Sequence, residues 1–284
     1  MVRTDGESDR MHVTQQEKAS RFRALHEGPG AFVIPNPWDA GSARVLAGLG
    51  FQALATSSGA SACVLGRKDG SLTREEALAQ ARSIVDATDL PVSADLEKGF
   101  GDAPETVAKT ITLAAEAGLV GCTIEDATGN PDNPLYDMSL AVERIAAAAQ
   151  AARALPHPFL LTARSHNLLF ASPNLDETLR RLQAFERAGA DVLFAPGLPD
   201  LAAVRTVCAS LSKPFNFMVG IKGKSFSVGE LAAAGVRRIS LATSLYRAAM
   251  SGLLDAVHQI QHGGRFGFVD TSVTTPELLK LMGI

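Results

Sequence analysis

The chain is poor in the features that mark several specialised classes of protein. Only three of its 284 residues are cysteines, Cys63, Cys122 and Cys208, and they lie far apart in the sequence. Their spacing and apolar surroundings argue against zinc ligands and against a disulfide framework. They are typical of reduced, buried thiols, and we therefore expect a cytoplasmic protein.

Long apolar runs and blocks of like charge are also missing. No uninterrupted apolar stretch is long enough to span a membrane, and residues 1–10 lack the apolar core of a signal peptide. The net charge is −3, and lysine and arginine do not cluster, which argues against a nucleic-acid partner. With 46% hydrophobic residues the chain can bury a large core. These observations leave a globular protein with a small-molecule partner, and no role for membranes or nucleic acid.

From Phe32 onward the chain alternates short apolar runs with helical patterns. Glycine ends several helical segments just before the next apolar run, as in 47–50, 117–120, 188–191 and 234–237, and supplies a left-handed helix C-cap. About eight such units predict a parallel (β/α)8 barrel of the TIM type. A doubly wound sheet is the alternative, but no glycine-rich loop follows the first run. The predicted strands are 32–34, 53–56, 92–94, 122–124, 159–163, 192–194, 215–218 and 238–241; the predicted helices include 40–47, 74–87, 104–117, 140–154 and 176–188.

One domain is the simplest organisation of this pattern. We expect a mobile N-terminal tail over residues 1–20, a catalytic barrel over 21–262 and a C-terminal appendage over 263–284.

Acidic residues follow two consecutive predicted strands. Asp95 and Glu97 come after 92–94, and Glu125 and Asp126 come after 122–124. Active-site groups of such barrels gather at the carboxyl ends of the strands, so these carboxylates should converge and require a cation. A few hard oxygen ligands suit Mg²⁺, or Mn²⁺ in its place. The alternative is that the acids are helix N-caps, and for Asp126 the two readings are equally balanced.

Other predicted strand ends carry groups that suit an anionic substrate. Arg164 ends the fifth run, where a guanidinium can hold a carboxylate, although an internal ion pair with Glu125 or Glu97 is the alternative. Residues 57–59, Ser-Ser-Gly, can offer hydroxyl and backbone N–H groups, or form a plain turn. His166 could be an acid–base group or an ordinary buried histidine. A metal and an arginine around a small anion favour chemistry through an enolate, by C–C cleavage, decarboxylation or P–C cleavage.

Together these segments resemble the isocitrate lyase/phosphoenolpyruvate mutase superfamily, in particular its shorter, mutase-like branch. The resemblance runs from about Phe22 to His262 and rests on segments 35–44, 56–59, 94–101, 124–126, 162–164 and 214–216. It implies a barrel whose last helix is exchanged between subunits of a dimer or tetramer. It also implies site residues: Asp95, Glu97 and Glu125 for the metal; Ser57, Ser58, Gly59, Trp38, Asn216 and Arg164 for the substrate; and Asp69, Arg164 and Glu125 beside the reacting group.

The sequence departs from the family pattern at several places. Isocitrate and 2-methylisocitrate lyases carry a Lys-Lys/Arg-Cys-Gly-His loop after the fourth strand, whereas residues 127–134 contain neither cysteine nor lysine. Tricarboxylate lyase activity is therefore not expected. The lysine-rich gating loop of the mutase is also missing, which weakens phosphonopyruvate chemistry. His166 stands where the family often has aspartate, and Lys98 where it has a small residue.

We expect a Mg²⁺-dependent lyase that acts on a small 2-keto or 2-hydroxy dicarboxylic acid through a pyruvate-type enolate. Phosphoenolpyruvate mutase or phosphonopyruvate hydrolase chemistry is one alternative, and a non-catalytic keto-acid-binding homologue is another. A Schiff-base aldolase is disfavoured, because Lys98 and Lys222 are the only lysines near the carboxyl end of a predicted strand.

Residues 244–257 place apolar side chains on more than one face of a predicted helix, and 276–282 adds a second apolar segment. Leaving both in water is costly, so we expect a homo-oligomer, with a tail folded over its own barrel as the alternative. The glycine and prolines of 127–134 predict a mobile lid.

Overall fold

Eight parallel strands form the centre of the molecule. In this computed structural model, which describes residues 13–170 and 173–284, the second to eighth strands pair in sequence order and the first pairs with the eighth. The first two strands are joined by the Ala55 N–H donating to the Pro35 carbonyl, at 3.0 Å. The predicted (β/α)8 barrel is therefore confirmed. Its strands are β1 (Phe32–Ile34), β2 (Leu54–Ala55), β3 (Val92–Asp95), β4 (Gly121–Glu125), β5 (Leu160–Arg164), β6 (Val192–Phe194), β7 (Phe215–Met218) and β8 (Arg238–Ser240).

Helices surround the strands, and several begin at a side chain that caps them. Asp39, Thr73 and Ser227 each accept a hydrogen bond from a backbone N–H in the first turn of the following helix. The five helices predicted between residues 40 and 188 lie within two residues of the observed bounds. The helices are α1 (Gln15–Glu27), α2 (Ala40–Gly48), α3 (Ser58–Val64), α4 (Arg74–Asp86), α5 (Pro104–Glu116), α6 (Met138–Arg153), α7 (Leu175–Ala188), α8 (Leu201–Ala209), α9 (Val228–Ala233), α10 (Ser244–Gly263) and α11 (Thr275–Met282).

Helix α1 closes the amino ends of the strands. Phe22 packs there in a cluster with residues from β1, β5 and β6 and with Val120, which directly precedes β4. His26 is buried beside it, its Nδ1 2.8 Å from the Phe22 carbonyl, and burial lowers the pKa of the imidazole to about 3. The helix corrects one expectation: residues 15–20 were assigned to a mobile tail but are helical, with Lys18 and Ala19 buried. Residues 1–12 of that tail lie outside the described residues.

Helix α10, near the C-terminus, is much more exposed than the other long helices of the barrel. Helix α10 has no buried residue, and Leu253 and Leu254 are 55% and 67% exposed. Helix α11 packs on α2 of the same chain. The expected exchange of a helix between subunits stays a prediction, and α10 is the segment that lacks cover. Within the described residues, no helix has both the length and the apolar character that a membrane crossing needs.

The contact between α2 and α11 depends on a glycine. A Cβ at Gly48 would overlap the backbone carbonyl of Leu281, whereas a Cβ at Gly41 on the same helix would meet only ordinary contacts at 3.5 and 3.8 Å. We predict that Gly48→Ala displaces α11 and raises amide deuterium uptake in residues 275–284. Gly41→Ala should leave that uptake within error of the wild type. Equal uptake in both variants would contradict this packing.

Candidate active site

Three charged side chains meet at the carboxyl ends of β3, β4 and β5. Asp95, Glu125 and Arg164 are the last residues of these strands, one position further along than predicted for each strand, because the ladder pairs Asp95 with Thr123 and Glu125 with Arg164. Arg164 Nη1 lies 3.7 Å from Asp95 Oδ2 and 3.5 Å from Glu125 Oε2. The ion pair considered from the sequence is therefore present, and it forms within the predicted site.

Glu97 joins this cluster through a strained turn. Its φ is +50°, a left-handed conformation that costs a non-glycine residue about 1–3 kcal/mol. The turn is held because the Glu97 N–H donates to Asp95 Oδ1 at 3.2 Å and the Glu97 carbonyl accepts from the Glu125 N–H at 3.0 Å. Gly99, at φ +82°, continues it where a side chain would press on Val107. This strained turn places the carboxylate of Glu97 beside those of Asp95 and Glu125.

The cluster contains three carboxyl groups, of Asp95, Glu97 and Glu125, and one guanidinium, of Arg164. The pKa of Glu97 is raised to about 7, chiefly by burial and then by the nearby Asp95 and Asp69. Burial also raises the pKa of Glu125 to about 8, against the opposing effect of Arg164. Carboxylates that stay uncompensated in a buried site favour a bound cation.

The donor set fits a hydrated divalent cation. Among the described residues, no group of three His, Cys, Asp or Glu side chains is arranged to hold an ion by itself. Mg²⁺ commonly keeps several waters and uses one or two carboxylates, so a few oxygen donors suffice. Asp95, Glu97 and Glu125 fit such an ion, and they do not form a closed cage of protein ligands.

The Ser-Ser-Gly segment is the start of a helix and not a plain turn. Ser57 caps α3, and the Ser58 hydroxyl donates to Asp95 Oδ2 at 3.1 Å. A Cβ at Gly59 would lie 3.3 Å from Asp69 Oδ2. The fold therefore brings this segment and Asp69 to the carboxylate cluster, as the resemblance implies.

The structure places two other expected substrate residues, Asn216 and Trp38, in different cavities. Asn216 is fully buried and lines the central cavity together with Asp95 and Arg164. Trp38 does not line that cavity. Its ring packs edge-on against Tyr246, with the centroids 5.5 Å apart, and faces a groove beside α11. Substrate contact by Trp38 is thus not supported by this arrangement.

His166 is engaged by Arg164. Arg164 Nη2 donates to His166 Nε2 at 2.6 Å, and His166 Nδ1 lies 3.2 Å from Glu125 Oε2. Burial first, and Arg164 second, hold the pKa of the imidazole well below its usual value. A neutral ring that accepts at Nε2 carries its proton on Nδ1. His166 therefore orients the arginine, and its Nε2 is not free to act as a base.

The hydrogen bonds of Asp126 are those of neither a metal ligand nor a helix N-cap, the two roles considered from the sequence. Its Oδ1 accepts from the His166 backbone N–H at 2.8 Å, and its Oδ2 accepts from Arg181 Nη1 at 3.2 Å. The side chain is 2% exposed, and Arg181 also donates to Glu177 and to the Tyr136 carbonyl. Asp126 thus fixes the turn after β5 to α7.

Lys98 forms its hydrogen bonds outside the cluster of Asp95, Glu97 and Glu125. Its Nζ donates to Asp102 Oδ1 at 2.8 Å and to the Thr128 carbonyl at 2.9 Å. The lysine thereby ties the turn after β3 to the 127–134 loop, whose expected mobility stays a prediction.

Sequence reasoning missed Arg238, which lines the cavity from β8. It is the first residue of β8, at the amino end of the strand, whereas the sequence pattern points to site residues at the carboxyl ends of strands.

Comparison with known proteins identifies relatives that match most of the chain. The family model described as phosphoenolpyruvate phosphomutase matches residues 22–261. The chain is 30% identical to 2-methylisocitrate lyase of Escherichia coli K12, over 95% of this chain and 93% of the relative. It is 31% identical to oxaloacetate decarboxylase of Ectopseudomonas mendocina, over 87% and 86%. A solved structure from Burkholderia cenocepacia J2315, for which lyase or mutase activity has been suggested, is 50% identical with a TM-score of 0.93, over 95% and 97%.

The buried pair of Asp126 and Arg181 yields a stability prediction. Asp126→Asn removes the charge that faces Arg181, and we expect a loss of about 3 kcal/mol in the free energy of unfolding. Arg181→Met combined with Asp126→Asn should cost less than the sum of the two single changes. Urea unfolding measures all three, with the exposed Arg180→Met as control. Strict additivity would contradict a coupled pair.

Proposed function

The chain belongs to the isocitrate lyase/phosphoenolpyruvate mutase superfamily and is an enzyme of its carbon–carbon lyase class, and we propose that it cleaves or decarboxylates a small 2-keto or 2-hydroxy dicarboxylic acid. Oxaloacetate-like and alkylmalate-like acids are the favoured substrates. The observation that carries the proposal is the position of Arg164 beside Asp95 and Glu125 at the barrel mouth. An arginine among carboxylates can hold a substrate anion next to a cation.

Asp95, Glu97 and Glu125 are the residues that would hold Mg²⁺, or Mn²⁺ in its place. When bound, the ion would stabilise negative charge on the substrate oxygen beside the breaking bond. Their burial supports this role, because electrostatic interactions are stronger where water is excluded.

The chain's own side chains bind and orient the substrate. Arg164 receives a carboxylate, and His166 keeps the guanidinium in place by accepting from Nη2. Backbone and hydroxyl groups of Ser57, Ser58 and Gly59 lie beside the carboxylate cluster and can donate hydrogen bonds to oxygens of the bound anion. Asp69 lies beside Gly59, and in this proposal it exchanges a proton with the reacting carbon. In this proposal, much of the rate enhancement comes from holding the substrate in a fixed position and orientation.

The loop after β4 narrows the choice of reaction. Residues 127–134 contain no cysteine or lysine, so we do not extend the tricarboxylate activity of the E. coli relative to this chain. The family model's description favours P–C chemistry on phosphonopyruvate as the second candidate.

An activity panel tests the proposal. With MgCl2 present, purified protein should turn over oxaloacetate or an alkylmalate, and EDTA should abolish the reaction. Arg164→Lys should lower kcat/KM about 100-fold, because lysine loses the planar two-pronged contact. Arg205→Lys, an exposed arginine on α8, is the matched control and should keep wild-type activity. Turnover of phosphonopyruvate alone would select the second candidate, and turnover of nothing in the panel would refute the lyase proposal.

We further propose a homo-oligomer, dimeric or tetrameric, built on the exposed apolar face of α10. Light scattering at micromolar concentration should give twice or four times the 29.8 kDa of one chain. Leu254→Asp, at a 67% exposed position, should shift the mass towards one chain, whereas Asp255→Asn on the same helix should not. A single-chain mass for the wild type would contradict the proposal.

A further inference from the structure

The floor of the central cavity holds a second arginine. Arg238 lies on β8 and is 4% exposed, and it lines the same cavity as Arg164 and Asp95. Burial lowers the pKa of this guanidinium to about 9, with no neighbouring acid acting against that effect. The charge is therefore held in a poorly solvated place.

The hydrogen bonds of Arg238 leave part of the guanidinium without an acceptor. Nε donates to Asn216 Oδ1 at 2.8 Å, and Nη2 donates to Thr162 Oγ1 at 3.0 Å. Both acceptors are neutral. Within residues 13–170 and 173–284, Nη1 has no hydrogen-bond acceptor and Arg238 has no ion pair, although a guanidinium offers five N–H donors. A buried charge without a counter-charge is unfavourable unless an anion joins it.

The position of Arg238 complements that of Arg164. Arg238 reaches Thr162, the inward-facing residue two positions before Arg164 on β5. Two residues of a strand span roughly 7 Å. The two guanidiniums are thus anchored at different depths of one cavity, with Arg164 at the mouth among carboxylates and Arg238 below.

The size of the cavity restricts what can meet Arg238. Its volume is about 50 Å³, and its polar lining includes Asn216, Ser240 and Thr123. Such a space admits a group of a few heavy atoms, such as a carboxylate, and excludes a bulky substituent.

We propose that Arg238 binds the second carboxylate of a dicarboxylic acid whose first carboxylate meets Arg164. This inference rests on the proposed function, since it specifies the substrate as a diacid and assigns each of its ends to a residue. It also accounts for the buried arginine, whose counter-charge then arrives with the ligand. A bidentate contact between guanidinium and carboxylate is among the stronger polar interactions in a buried site.

Calorimetry with a matched pair of anions tests this assignment without requiring turnover. Succinate and butyrate have the same number of carbons and differ in the second carboxylate. With MgCl2 in every sample, the wild type should bind succinate at least tenfold more tightly than butyrate. Arg238→Met should reduce that preference to less than twofold, and Arg238→Lys, which keeps the charge but not the planar contact, should retain part of it.

Protein stability provides the second readout. The Tm of ligand-free Arg238→Met serves as its own reference, because losing the buried charge is favourable whereas Asn216 Oδ1 and Thr162 Oγ1 each lose a donor. Succinate should raise the Tm of the wild type and not that of the variant. An undiminished succinate preference in Arg238→Met, or no preference in the wild type, would overturn the inference. A preference that depends on Arg238 in a protein with no lyase activity would support the inference and refute the proposed reaction.

Discussion

The site depends on one electrostatic constraint: Arg164 lies between the carboxylates of Asp95 and Glu125 at the ends of three adjacent strands. Parallel strands bring these ends together, and Glu97 is added by a turn with a left-handed residue. One guanidinium cannot balance three carboxylates that are so poorly hydrated. This excess of negative charge is the basis of our proposal that a cation binds there with an anionic substrate next to it.

The surrounding structure holds this arginine in a chain of contacts. His166 accepts from its guanidinium, Asp126 accepts from the His166 backbone, and Arg181 on α7 pairs with Asp126. These contacts connect the ends of β4 and β5 to a helix in the outer layer. The neutral histidine completes the arrangement, since a protonated ring beside Arg164 would repel it. Orientation of the arginine is thus distributed over residues that need not touch a substrate.

Much of this arrangement was predictable from the sequence, for physical reasons. Apolar runs and glycine C-caps have the periodicity of strands and helices, and carboxylates at run ends must converge once the strands are parallel. Other features have no local signal. The pairing of Asp126 with Arg181 joins residues 55 positions apart, and the short helix after Ser57 looks like a turn. Arg238 looked like an ordinary strand residue in the sequence. It is buried only because all eight strands close into a barrel around it.

The central claim is that Asp95, Glu97 and Glu125 form a binding site for one divalent cation. Electron paramagnetic resonance of a Mn²⁺ titration tests it most directly, because the free ion is counted without any substrate. We predict one bound Mn²⁺ per chain, which excess Mg²⁺ displaces. Asp95→Asn should weaken Mn²⁺ binding at least tenfold, and Glu143→Gln on the exposed side of α6 should leave it unchanged. No bound ion in the wild type, or equal binding in Asp95→Asn, would contradict it.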